Sequence, residues 1–205
     1  MEGFISRFTF HVSRFTFHAS RITLAIGVFL HLLTASTDAA FLDKAGVRPL
    51  GMGGAFVARA DDSSAGLWNP AGLAQLKQSE FVATYSALYT GLGEDNLGRT
   101  YLGYTLPLHR LGTLGLNVVR LQGPLYSENT LLLSYSHHLR SLYFGGTVKG
   151  LFANFSENEY TKIDPLFQTE GRLTKNVSFD LGLLLKVSES FAVGVAAQNL
   201  KQPNL

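Results

Sequence analysis

GVRPLGMGGAFVARADDSSAGLWNPAGLAQL, residues 46–76, fits neither the apolar segment before it nor the alternating segments after it. Six glycines (Gly46, Gly51, Gly53, Gly54, Gly66, Gly72) and two prolines (Pro49, Pro70) argue against one long helix or strand and predict a folded, turn-rich insert. Asp61, Asp62, Ser63 and Ser64 offer N-caps for a short helical piece running to Trp68. Asn69 should end that piece, because the residue before a proline is pushed out of the helical region.

Upstream, residues 6–26 hold a seven-residue repeat, SRFTFHV, SRFTFHA and SRITLAI. Copies this short do not make a solenoid and read as a lengthened basic leader or as translated repeat DNA ahead of a true start. His11 and His18 recur with the repeat and have no further ligand nearby. Ile22–Leu33 is apolar, follows Arg14 and Arg21, and precedes the small-residue run Thr37-Asp38-Ala39. It reads as a helical signal peptide cut after Ala39 or Ala40, and it falls short of the ~20 residues a membrane-spanning helix needs.

Downstream, the pattern turns to period two. Phe81, Ala83, Tyr85, Ala87 and Tyr89 share one face; so do Leu102, Tyr104, Leu106 and Leu108, then Leu114, Leu116 and Val118, then Leu131, Leu133, Tyr135 and Leu139. A fifth strand sets Leu142, Phe144, Val148 and Phe152 against Thr147 and Lys149, and a sixth sets Phe179, Leu181, Leu183, Leu185 and Val187 against Asp180 and Lys186. A seventh runs from Phe191 to about Leu200. Short turns at 109–111, 140–141 and 188–190 are expected to alternate with longer links at 90–98, 122–128 and 155–177, as in outer-membrane barrels. Charged residues at 16%, against roughly 25% in soluble domains, suit a sheet with one lipid-facing side. A formal net charge of +2 gives no nucleic-acid surface, and the absence of cysteine excludes disulfides and thiolate metal sites.

Arg48, Gly51, Met52, Gly53, Gly54, Ala55, the Ala60-Asp61-Asp62 run and Trp68-Asn69-Pro70-Ala71-Gly72-Leu73 resemble the start of the FadL/PorV superfamily of outer-membrane proteins, closest to PorV/PorQ-like members. The resemblance implies that the insert is a hatch, or plug, inside a β-barrel. It also implies a barrel of roughly fourteen strands, so about seven make the chain a partial barrel, and a truncated gene product is the expectation. The hatch motif is then Arg48, Gly51, Gly53, Gly54, Asp61, Asp62, Trp68, Asn69, Pro70 and Ala71.

Residues with chemical potential are few. Gly51-Met52-Gly53-Gly54 lacks the lysine and spacing of a phosphate loop. Asp61-Asp62 reads as caps rather than a calcium site, and His137 and His138 point to opposite faces of a strand. No serine sits in a nucleophile elbow, so no enzyme, cofactor or metal is expected. Lys149, Asp180, Lys186 and Arg120 are expected to face the lumen and to pair with the plug or each other.

The sequence thus predicts an all-β protein: a signal peptide with a repeat-bearing extension (1–39), a plug (40–78) and the N-terminal half of an antiparallel transmembrane β-barrel (79–205). The expected site is the bacterial outer membrane, with membrane lipid as a contact and no nucleic acid. The resemblance implies a partner role in type IX-like protein secretion or surface attachment, with a secreted cargo protein. FadL-like passage of long-chain fatty acids or other hydrophobic small molecules stays open, as does a soluble exported β-sandwich that binds a ligand.

Overall fold

A computed structural model describes residues 44–88, 90, 91, 97–157, 162, 163 and 173–201. The leader repeat, its histidines, the cleavage site and Tyr89 lie outside the described residues. The insert folds into two short helices, α1 (Val47–Gly51) and α2 (Ala65–Trp68), and a 3₁₀ turn at Pro70–Gln75. Pro49 is tolerated in the first turn of α1, where its missing N–H has no intrahelical partner. Asn69 ends α2 in an extended conformation, φ −158° and ψ 101°, as the Asn-Pro pair requires.

Seven strands follow: β1 (Glu80–Leu88), β2 (Leu97–Pro107), β3 (Thr113–Gln122), β4 (Tyr126–Leu139), β5 (Leu142–Phe155), β6 (Leu173–Lys186) and β7 (Ala192–Ala197). They form one antiparallel sheet in sequence order. The insert meets this sheet at both flanks. Ser63 Oγ donates to the Glu80 carbonyl at the start of β1, and Gln198 Nε2, just past β7, donates to the Leu67 carbonyl. The sheet therefore curls around the insert as a half-barrel with the insert as its plug.

The distribution of polarity is the reverse of a soluble protein's. On the inner face Thr105, Asn117, Ser134, Thr147, Ser178 and Asp180 are buried, while Leu133 and Leu181 on the outer face are each 57% exposed. Phe56, Trp68 and Leu73 of the plug pack with Tyr101 and Leu132 of the wall to make the core. A soluble sandwich would bury its apolar face against a second sheet; here the described strands form a single sheet whose apolar face is bare, which removes that alternative. Leu131 to Leu139 along β4 covers roughly 27 Å of strand, or roughly 20 Å of membrane depth at a tilt near 40°, close to the ~25 Å apolar band of such barrels.

Three expectations need correction. The link at 122–128 is a tight hairpin, because β3 reaches Gln122, β4 begins at Tyr126 and Gly123 N donates to the Tyr126 carbonyl. Strict alternation of short and long links therefore fails at that hairpin, while the 17 residues between β5 and β6 keep the 155–177 link long. Strand β6 starts at Leu173, since Thr174 and Asn176 continue the alternation with polar residues that read as loop. Arg120 lies on the outer face with Leu116 and Val118, because residues of even number in β3 point outward.

Candidate functional site

Inside the plug, Arg48 reaches both carboxylates of the acidic pair, at 2.9 Å to Asp61 and 2.8 Å to Asp62. Arg59 holds Asp61 from the other side at 2.9 Å. Asp62 also accepts from Ser64 N at 2.8 Å and from Ser64 Oγ, closing a turn ahead of α2, whose N-cap Ser64 makes no side-chain capping hydrogen bond of the kind expected. Burial works to raise the Asp61 carboxyl, but the Arg59 hydrogen bond and the charges of Arg48 and Arg59 outweigh it and hold it below the usual carboxylate range. Trp68 crosses to the start of the plug, where Nε1 donates to the Ala45 carbonyl at 2.9 Å, and its ring meets Phe56 edge-on at 6.4 Å. Gly54, at φ +83°, lies beneath that ring in a conformation that favours glycine. Gly53 is likewise left-handed at φ +62°, and among the described residues none lies within 4 Å of where a Cβ would stand at Gly51 or Gly53.

The Asn69-Pro70-Ala71 corner fastens the plug to the wall. Asn69 Nδ2 donates to the Val57 carbonyl within the plug at 2.8 Å and to the Leu183 carbonyl of β6 at 3.0 Å, while its Oδ1 accepts from Ala71 N. The corner comes so close because the wall is glycine there. A Cβ at Gly182 would lie 2.1 Å from Asn69 Oδ1, and one at Gly145 would lie 2.7 Å from the Pro70 carbonyl carbon. Gly194 of β7 receives Val57 in the same way, and Gly115 of β3 receives Leu73. These wall glycines were absent from the motif read in the sequence. Glycine inside an otherwise apolar strand is the signal that announces such an approach.

Of the expected lumenal charges, Lys149 and Asp180 pair at 2.8 Å and are almost wholly buried. Asn199, past β7, completes the group: its backbone N donates to Asp180 Oδ1 at 2.8 Å and its Oδ1 accepts from Lys149 Nζ at 3.2 Å. Lys186 does not join them; it sits exposed at the short-turn end with Nζ over the Tyr143 ring. Among the described residues, no three His, Asp or Glu side chains gather as a metal site would require. The arrangement is a mechanical one, in which a folded segment is pinned by polar contacts and glycine clearances against a polar inner wall.

A family model described as "Type IX secretion system membrane protein PorP/SprF" matches residues 63–205, which include the end of the plug and all seven strands. No curated protein and no solved structure matches the chain.

Proposed function

The chain belongs to the PorP/SprF family of type IX secretion system membrane proteins, and from that premise we propose that it acts as a plugged outer-membrane scaffold. Its role is to hold a protein partner of the secretion or surface-attachment machinery, with secreted cargo as the species handled. The expectation of a PorV/PorQ-like protein is thereby kept at the level of type IX secretion, and the FadL superfamily is replaced by PorP/SprF. The observation that carries the reading is the double tether of Asn69, which ties the plug to itself and to β6 across a wall of glycines. A lumen filled in this way favours a surface that partners recognise over an open conduit.

For FadL-like passage of a hydrophobic compound, a cleft of about 760 Å³ is lined by the charged side chains of Arg59, Asp61, Lys186 and Glu189, and the apolar cavity, lined by Val47, Leu50 and Leu88 with Arg99 at its edge, measures about 220 Å³. Ligand pockets usually begin near ~300 Å³, so the partner role is preferred. The test is mild crosslinking in the native envelope followed by identification of what the chain carries. Secretion components or secreted cargo are expected. Saturable uptake of a labelled fatty acid together with an empty crosslinking profile would overturn the reading.

A further inference from the structure

Six residues from six strands stand side by side on the outside of the barrel. Tyr85 pairs with Thr100, Thr100 with Arg120, Arg120 with Asn129, Asn129 with Phe152 and Phe152 with Lys175. Residues in one register row are neighbours across the sheet, so these six form one line over the outer wall that climbs with the strand tilt. The row one step toward the short turns is Leu102, Val118, Leu131, Gly150 and Val177, where the apolar band begins. Tyr85 and Phe152 give the Arg120 row the aromatic content of a membrane interface.

Arg120 and Lys175 are the only Asp, Glu, Lys or Arg residues on the outward face of the described strands. Both are exposed, and neither hydrogen-bonds or ion-pairs with another described residue. Beyond them on the outward face of the described strands lie Gln122, Ser127 and Asn154, none of them a carboxylate. At the opposite end the outward row is Leu139, Leu142, Leu185 and Val193, apolar up to the turns. On the outward face of the described strands both cations thus stand toward the long-link end, while Arg110 and Arg140 belong to the short turns themselves.

We infer that Arg120 and Lys175 form a binding site for the phosphate groups of a phosphorylated membrane lipid in the leaflet on the long-link side. The inference rests on the outer-membrane barrel reading above. The two strands' axes are three inter-strand steps apart, roughly 14 Å, a span that suits a headgroup with two phosphates better than one with a single phosphate. Asn129 and Thr100 supply further polar contacts between and beside the cations. Acyl chains of the same lipid lie against Val118, Leu131 and Val177 below, which is what distinguishes a lipid from a free anion.

The test uses the full chain incorporated into phosphatidylethanolamine vesicles, alone or with bisphosphorylated lipid A, and native mass spectrometry of the lipid retained. Wild type should retain lipid A in preference to phosphatidylethanolamine. Arg120→Gln and Lys175→Gln should each weaken retention about fivefold and the pair roughly 25-fold, while Arg140→Gln, at a short-turn tip, should leave it unchanged. Arg120→Lys, which keeps the charge, should restore most of the retention, and the single variants decide the matter where the double variant does not incorporate. Retention equal in wild type and the Gln variants would overturn the site. Competition by inorganic phosphate as effective as by lipid would overturn the lipid. A wild-type chain that incorporates without preferring lipid A sinks this inference alone, whereas one that fails to incorporate sinks it together with the barrel reading.

Discussion

Asn69 and Leu183 are 114 positions apart in the chain, yet the Asn69 amide donates to the Leu183 carbonyl at 3.0 Å, the bond that joins plug to barrel wall. The same amide nitrogen also serves Val57 O, so one side chain satisfies a carbonyl on each side of the plug–wall boundary. A second side chain with two donors in the same shape would be needed to replace it.

Asn69→Asp retains the acceptor for Ala71 N but removes both donations, and Asn69→Ala removes all three contacts. Each carbonyl left unpaired costs about 1–3 kcal/mol. Both variants should release the plug, read as faster tryptic cleavage at Arg59, whose side chain is already 61% exposed. Cleavage of Asn69→Asp at the wild-type rate would show that the acceptor, and not the donors, holds the corner.

Gly182→Ala and Gly145→Ala should displace the plug, because the new Cβ would meet Asn69 Oδ1 or the Pro70 backbone well inside contact distance. Gly146→Ala is the matched control on the adjacent residue of β5, where the closest atom lies at 3.6 Å. The expected order of thermal stability of the folded band on an unheated gel is Gly146→Ala equal to wild type, then Gly145→Ala, then Gly182→Ala. Equal loss in all three would mean that strand glycines act through backbone entropy instead.

The plug should loosen in acid. The folded-state value of Asp61 is held low by Arg59 and Arg48, so its contribution is complete above the ordinary aspartate value near ~4 and is lost as pH falls through the lowered value. Tryptic accessibility at Arg59 after an acid pulse reports this directly, with Asp61→Asn expected to be loose at neutral pH and insensitive to acid. An acid transition unaltered in Asp61→Asn would assign it to other carboxylates.

Lys149→Met should destabilise the barrel by about 3–5 kcal/mol, the usual effect of stranding one member of a buried pair. Adding Asp180→Leu should recover much of that loss, because the uncompensated buried charge goes with it. Urea unfolding in detergent measures both. A double variant less stable than Lys149→Met would show that Asp180 mainly serves Asn199 N.

Side chains alternate across any strand whatever lies on either side, so the period-two pattern was enough to place seven strands, to separate the bare apolar face from the polar one, and to put Lys149 and Asp180 inside. Local chemistry likewise settled the stop of α2 at Asn69, since the restriction before proline acts within one peptide unit. The tertiary structure alone decided what meets across those faces. Gly145 and Gly182 become neighbours only through the β5–β6 register, and only then does a gap open that the Asn-Pro corner can enter. Asn199 reaches Lys149 and Asp180, and Arg120 and Lys175 share a register row on the outer wall, for the same reason. Such relations depend on the pairing of segments far apart in the chain, which a pattern read within single strands does not carry.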